Sequence, residues 1–293
     1  MVKIVDCIIF YNEIKMLQFR LAELAQIVDY FIICEAPYTF AGNSKPLYYQ
    51  ENKGLFKEYD SQIIHVIVDD MPNNGNAWDN EFHQRRAVSR GLSELEMEDT
   101  DLILISDVDE IPAKGTLQQI KSGQNKILER DGVAILQLDV YFYNFTCKGD
   151  LPWADLKITT YKYFNNLDSG GRDLQKIRKS YRLKYCYQVI PGEKEGDSKS
   201  LYRSKPIVRI PNAGWHLTYF GDIEFIRNKI RNIAHQEFNK PEYLDEKLIQ
   251  SRIEKCDDLF GRDNKRTHGL KYVPLKENNN LPENYQMLTE SLN

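Results

Sequence analysis

The sequence predicts an α/β fold, a mainly parallel central sheet flanked by helices, and three observations predict it. Apolar, β-branched runs alternate with stretches of helical periodicity through the first half of the chain. Strands separated by helices pair in parallel and need cover on both faces. Acidic and amide side chains collect where the apolar runs stop, at the carboxyl edge where such sheets bind ligands.

Taken in order, "KIVDCIIF" is the first strand, and Glu13 to Val28 then sets Ile14, Leu17, Leu21, Leu24, Ile27 and Val28 at helical spacing. "YFIICEA" is the second strand, and the turn formers and aromatics of "PYTFAGNSKPLYY" make the stretch after it a loop over a site. "IIHVIVDD" is a third strand ending in acids. Asn80 to Met97, with Phe82, Ala87, Val88, Leu92 and Leu95, reads as a second helix. "DLILIS" is the fourth strand and "VAILQLDVYFYNF" the fifth. Beyond residue 150 the pattern shortens to β-like pieces, "KITTYKYF" and "SYRLKYCYQVI", the latter followed by the charged loop "PGEKEGDSKS". Helical periodicity returns from Asp222 to Cys256, and the polar tail "NNNLPENYQMLTESLN" is expected on the surface.

Bulk properties exclude several classes. A net charge of -4 and a pI near 5.8 offer no uniform cationic field for a nucleic-acid backbone. The first residues hold a short apolar run interrupted by Asp6, with no small-residue cleavage site, so neither a signal peptide nor a membrane span is expected. Five dispersed cysteines without a CxxC pair read as reduced thiols of a cytoplasmic protein, and without export the formal glycosylation acceptor at Asn144 is expected to stay bare.

The stretch "LILISDVDEIP" carries the chemistry. Four apolar residues lead into Asp107, Asp109 and Glu110, and like charges this close repel unless something positive lies beside them. An Asp-x-Asp alone is a common solvated turn or helix cap. After a buried strand, with Tyr11, Asn12, Glu13, Glu35, Asp69 and Asp70 at neighbouring strand ends, it presents hard oxygen ligands for Mg²⁺ or Mn²⁺. Such a cation neutralises phosphate oxygens and steadies a departing phosphate. In "NAGWHLTYFGD", His216 beside Trp215 is either a ligand of the same ion or a satisfied core residue. In "AHQEFN", His235 and Glu237 face either a site or solvent.

"DCIIFYNEIKMLQFRLAEL", "ICEAPYTFAGNSKPLYY", "WDNEFHQRRAVSRGL", "LILISDVDEIP", "AGWHLTYFGD" and "AHQEFN" occur in an order that resembles family 17 glycosyltransferases, over roughly residues 4 to 285. The resemblance implies a GT-A type fold, a UDP-sugar donor, UDP-GlcNAc in the first place, a divalent cation, a glycan acceptor and inversion at the anomeric carbon. It implies one domain over 1–293, with 1–150 the nucleotide-sugar-binding half and 151–293 the acceptor-side half. The family's acidic metal motif falls on Asp107 and Asp109, and its Trp-His pair on Trp215 and His216, which makes Asp107, Asp109 and His216 the implied metal ligands and sets Asp107 and Trp215 among the implied donor-binding residues. Tyr11, Asn12, Glu13 and Glu35 match positions bordering uridine and ribose, and Arg85 and Arg86 match the helix facing the diphosphate. Asp109 would carry the leaving-group chemistry through the metal. A carboxylate would take the acceptor proton, Glu237 first and Asp155 second.

The animal members of the family are Golgi enzymes with an anchor and stem that this sequence lacks, so the expected location is the cytoplasm of a bacterium or of a virus-infected host, or a virion. Two alternatives stay open. One is a metal-dependent nucleotidyltransferase or phosphohydrolase, against which no P-loop or Gly-rich fingerprint appears. The other is a non-catalytic glycan-binding module whose acids hold a structural Ca²⁺.

Overall fold

Every residue of Ile4–Phe10 (β1) is buried, because its two faces feed two different cores. Ile4, Ile8 and Phe10 point into one apolar layer, and Val5, Cys7 and Ile9 into the other. Period-two alternation with both faces apolar is what a central parallel strand requires. The computed structural model describes residues 1–123, 133–166, 207–262 and 269–289.

Beside β1 lie Tyr30–Glu35 (β2) and Leu102–Asp107 (β4), and Ile63–Ile67 (β3) pairs with β2; all of these pairs are parallel. The chain adds β2 and β3 outward on one side of β1, then returns to place β4 on the other. That reversal makes the carboxyl ends of β1 and β4 a topological switch point. Met16, Leu17, Phe19, Leu21 and Leu24 of the helix Ile14–Leu24 fill the first layer, and Ala87, Val88 and Leu92 fill the second. Helices therefore flank the sheet on both faces, as the alternating pattern predicts.

The large sheet is seven-stranded and continues from β4 through Lys157–Thr160 (β9) and Val133–Leu136 (β6) to Ile207–Ile210 (β10). Only β9 runs antiparallel to its neighbours. Asp139–Phe142 (β7) belongs to a second sheet, of five strands, with Cys147–Gly149 (β8), Glu110–Pro112 (β5), Gly214–Thr218 (β11) and Leu270–Tyr272 (β12).

Several sequence expectations change. The predicted fifth strand is two strands in two sheets. Between them Gln137 donates its N–H to the Ile210 carbonyl and Leu138 pairs with Trp153, which carries the chain from one sheet to the other. "KITTYKYF" is β9 followed by the helix Tyr161–Asn166. The second helix starts earlier, at Ala77, where the Asn76 side chain accepts the Trp78 N–H, and it ends at Arg86 before a short helix Val88–Leu92. "AHQEFN" holds a 3₁₀ turn over Gln236–Phe238, so the periodic stretch from Asp222 is two helices, Ile223–Asn232 and Glu246–Lys255. The tail is not merely superficial: Leu288 is buried and the Asn284 N–H reaches Glu23. "SYRLKYCYQVI" and "PGEKEGDSKS" lie outside the described residues.

The expectation of reduced thiols holds for Cys7 and Cys34 and fails for Cys147 and Cys256, while Cys186 lies outside the described residues. Cys147 and Cys256 form a disulfide that joins β8 to the end of the helix Glu246–Lys255, while Cys7 and Cys34 are buried free thiols. Burial pushes the Cys34 thiol up to about 12. Among the described residues no helix is long and apolar enough to cross a membrane.

Candidate active site

Beneath the acidic turn lies Arg20, fully buried. Its guanidinium holds both oxygens of Asp6 at 2.7 Å and donates to Ser106 Oγ at 2.6 Å. Its remaining Nη1 donates to the carbonyl oxygens of Asp107, Val108 and Glu110 at 3.1, 3.2 and 2.7 Å. Arg20 thus sets the backbone of the turn while leaving the Asp107 and Asp109 carboxylates to the other side. Glu110 completes the turn from within, accepting the Asp107 N–H at 2.9 Å and the Trp153 indole N–H.

The second sheet delivers His216 to this turn. β11 pairs antiparallel with β5, Trp215 opposite Ile111 and His216 opposite Glu110, and the Leu217 N–H donates to the Asp109 carbonyl. Gly214 makes the approach possible: at φ +147° a Cβ there would stand 2.1 Å from the Ile111 carbonyl oxygen. Alternation along β11 then divides the neighbours. His216 faces a cavity, stacked on Trp153 at 4.4 Å, whereas Trp215 packs in the core with its indole N–H on the Asn280 carbonyl.

The cavity holds about 250 Å³ and opens at the switch point. Asp107, Asp109 and His216 line it together, as do Tyr11, Glu13, Arg85 and Asp155. Asp109 and His216 are both nearly buried, Asp109 Oδ1 standing 3.8 Å from His216 Nε2. Asp107 Oδ1 accepts instead from Arg85 at 2.9 Å. Arg85 also donates to Glu81 at 3.0 Å, yet its buried Nε and Nη1 have no protein acceptor, which leaves donors aimed at a guest. Burial raises the Tyr11 hydroxyl to about 12, so it stays protonated and donates to Asn228 at 2.6 Å.

Other sequence-predicted residues stand apart from the cavity. Asn12 and Arg86 do not line it. Glu35 lies fully buried behind the wall, accepting the Tyr49 N–H at 2.9 Å and holding Lys45 at 3.7 Å, and it is Lys45 that reaches the cavity. Glu237 points outward, paired with His235 at 2.6 Å, and only His235 reaches the cavity. Burial acts to raise the Glu237 carboxyl, but the hydrogen bond from His235, a backbone hydrogen bond and the His235 charge together outweigh it and lower the pKa.

The sequence reading gave the helical periodicity of Ile223–Asn232 but missed what this helix carries to the site. Asp222 caps it, Ile226 and Ile230 anchor it in a third apolar cluster, and its other face brings Lys229 and Asn232 into the cavity. Lys229 Nζ lies 2.9 Å from Asp109 Oδ2 and 3.6 Å from Glu13 Oε1. Burial would lower its pKa, yet Asp109 and Glu13 outweigh burial and raise it, so the ammonium is charged across the ordinary pH range. The i, i+4 spacing of Ile226 and Ile230 marks the inner face; no sequence signal marks Lys229 as different from other surface lysines.

The model of glycosyltransferase family 17 matches residues 1–167, which includes the switch point and the acidic turn. The chain belongs to glycosyltransferase family 17. Similar family 17 relatives are the β-1,4-mannosyl-glycoprotein 4-β-N-acetylglucosaminyltransferases of Rattus norvegicus and Homo sapiens, each 30% identical over 118 residues, and of Mus musculus, 29% identical over 118 residues. Those residues make up 38% of this chain and 22% of each relative, so the chain spans less than a quarter of the length of the curated relatives it matches. These relatives overturn the cytoplasmic expectation: they are animal enzymes whose names specify a glycoprotein acceptor. The Cys147–Cys256 disulfide agrees with the correction, since such bonds persist in oxidising compartments.

Proposed function

We propose that this family 17 protein transfers a sugar, GlcNAc, from a UDP-sugar to a hydroxyl of a glycan acceptor with inversion, on a single GT-A type domain. The observation that carries the reading is the meeting of Asp109, in the turn between β4 and β5, with His216 of β11 in a cavity at the β1/β4 switch point. The strand-order reversal supports a nucleotide-binding edge, and the family and its N-acetylglucosaminyltransferase relatives support the chemistry.

The residues present fit a divalent cation, Mn²⁺ or Mg²⁺, as a two-ligand site. Among the described residues no three His, Cys, Asp or Glu side chains converge for an ion. A carboxylate and an imidazole facing each other would suit a cation that is also held by phosphate oxygens, as small hard cations bind phosphates through one or two protein ligands. Asp109 and His216 would hold the ion, with Asp107 kept beside it by Arg85. When bound, the ion supplies Lewis-acid stabilisation of the leaving diphosphate.

The remaining roles belong to the chain itself. The unpaired Arg85 donors and the Tyr11 edge of the cavity receive the nucleotide. Asp155, which lines the cavity near Trp153 and His216, is the better-placed carboxylate to accept the acceptor proton, since Glu237 faces outward. Trp78, Tyr38 and Phe40 give the cavity an aromatic wall suited to a base or a sugar face. Incubation with UDP-GlcNAc, Mn²⁺ and a mannose-terminated glycan tests the reading: UDP release coupled to a glycan heavier by one N-acetylhexosamine supports it. Absence of both UDP binding and turnover would leave a glycan-binding module instead.

A further inference from the structure

The Lys229 ammonium stands where a cation bound to Asp109 belongs. It touches Asp109 Oδ2, approaches Glu13 Oε1 and lies 5.9 Å over the Tyr219 ring, while His216 faces the other Asp109 oxygen. The helix that carries it is fixed by Ile226, Ile230 and the Tyr11–Asn228 hydrogen bond. The charge itself rides on four flexible methylenes, so it can move while the helix stays.

An ammonium and a divalent cation on one carboxylate repel each other, so either excludes the other until extra negative charge arrives. A diphosphate brings that charge and offers oxygens to both. We propose that Lys229 occupies the cation seat at Asp109 in the nucleotide-free protein and yields it when a nucleoside diphosphate enters, its ammonium moving onto a diphosphate oxygen. This inference rests on the function proposed above. Its consequence is coupling: the nucleotide and the divalent cation each raise the other's affinity, and Lys229 enlarges that coupling.

Calorimetric titrations of Mn²⁺ alone, and of UDP with Mn²⁺ present, into the wild type, Lys229→Met and Lys229→Arg test it. Lys229→Met should bind Mn²⁺ alone about tenfold more tightly and UDP about tenfold more weakly, the scale of one charge-assisted hydrogen bond. Lys229→Arg, which keeps the charge, should bind Mn²⁺ alone as weakly as the wild type. A merely structural lysine would not move the two affinities in opposite directions. Thermal melts check each variant, and Lys229→Gln replaces Lys229→Met where the latter does not melt cooperatively. Equal Mn²⁺ affinity in the wild type and the neutral variants, with UDP binding intact, overturns the role of Lys229 and spares the proposed function. A wild type that takes up neither Mn²⁺ nor UDP overturns both.

Discussion

Arg20 and Lys229 meet the acidic turn from opposite sides, and they differ in everything except charge. Arg20, below the turn, is fully buried and all of its nitrogens donate to fixed acceptors. Lys229, above it, reaches into the cavity and holds Asp109 by a single 2.9 Å contact. A guanidinium locked by a planar fork builds backbone geometry, whereas an ammonium on a flexible stem is a replaceable counter-ion. The repulsion visible in the sequence is thus answered at the carboxylates by Arg85 on Asp107 and Lys229 on Asp109, while Arg20, its charge matched by Asp6, fixes the backbone of the turn.

Breaking the lower cation should have the largest effect. Arg20→Met leaves Asp6 buried without its partner and the turn carbonyls without their donor, and should cost about 3–5 kcal/mol in denaturant unfolding. A variant as stable as the wild type would show that the turn stands without Arg20. Next comes the pair on β11, adjacent in sequence and opposite in orientation. Trp215→Ala should cost about 3–5 kcal/mol as a core cavity opens, and His216→Ala should leave the metal-free melting temperature nearly unchanged while weakening Mn²⁺ binding. If the two variants lose stability alike, His216 is a core residue rather than a cavity residue.

The smallest effect belongs to a carboxylate with neither burial nor cavity. Asp70 is half exposed, and a hydrogen bond from Arg90 at 2.6 Å, with the His83 imidazole 3.1 Å away, holds its carboxyl well below the ordinary carboxylate range. A folded-state pKa below the unfolded one gives stability above the unfolded value, and that stability is lost as pH falls through the folded one. Solvent screening limits it to about 0–1 kcal/mol. Asp70→Asn should therefore differ slightly from the wild type in urea midpoint at pH 7, and the difference should shrink below about pH 4 and in high salt. A difference that persists in acid would assign Asp70 a role other than its charge.

What the sequence revealed follows the same division. β1, β2 and β4 were legible because both faces of a central strand must be apolar, and the acidic turn because charge stops that pattern abruptly. His216 was legible through the resemblance alone, since only the β11–β5 pairing brings it to Asp109 from more than a hundred residues away. Arg20 was not legible: flanked by Phe19 and Leu21 on an amphipathic helix, it reads as one more exposed cation. Lys229 and Arg85 are single members of a set of 39 basic residues, and their places depend on how helices dock over the sheet. The split of "VAILQLDVYFYNF" escaped because a sheet change leaves no mark on hydrophobic periodicity.

The central claim is that Asp109 holds a cation–diphosphate pair at the switch point, and one titration tests it most directly. UDP is titrated by calorimetry into the wild type and Asp109→Ala, with Mn²⁺ and then with a chelator. Among the described residues the Asp109 side chain meets Lys229 and His216, and Glu13, 3.6 Å from Lys229, keeps that ammonium partnered in the variant, whose folding a thermal melt checks. The wild type should bind UDP in Mn²⁺ and lose most of that affinity in chelator, while Asp109→Ala shows no Mn²⁺-dependent binding. Equal Mn²⁺-dependent affinity in the two proteins would contradict the account.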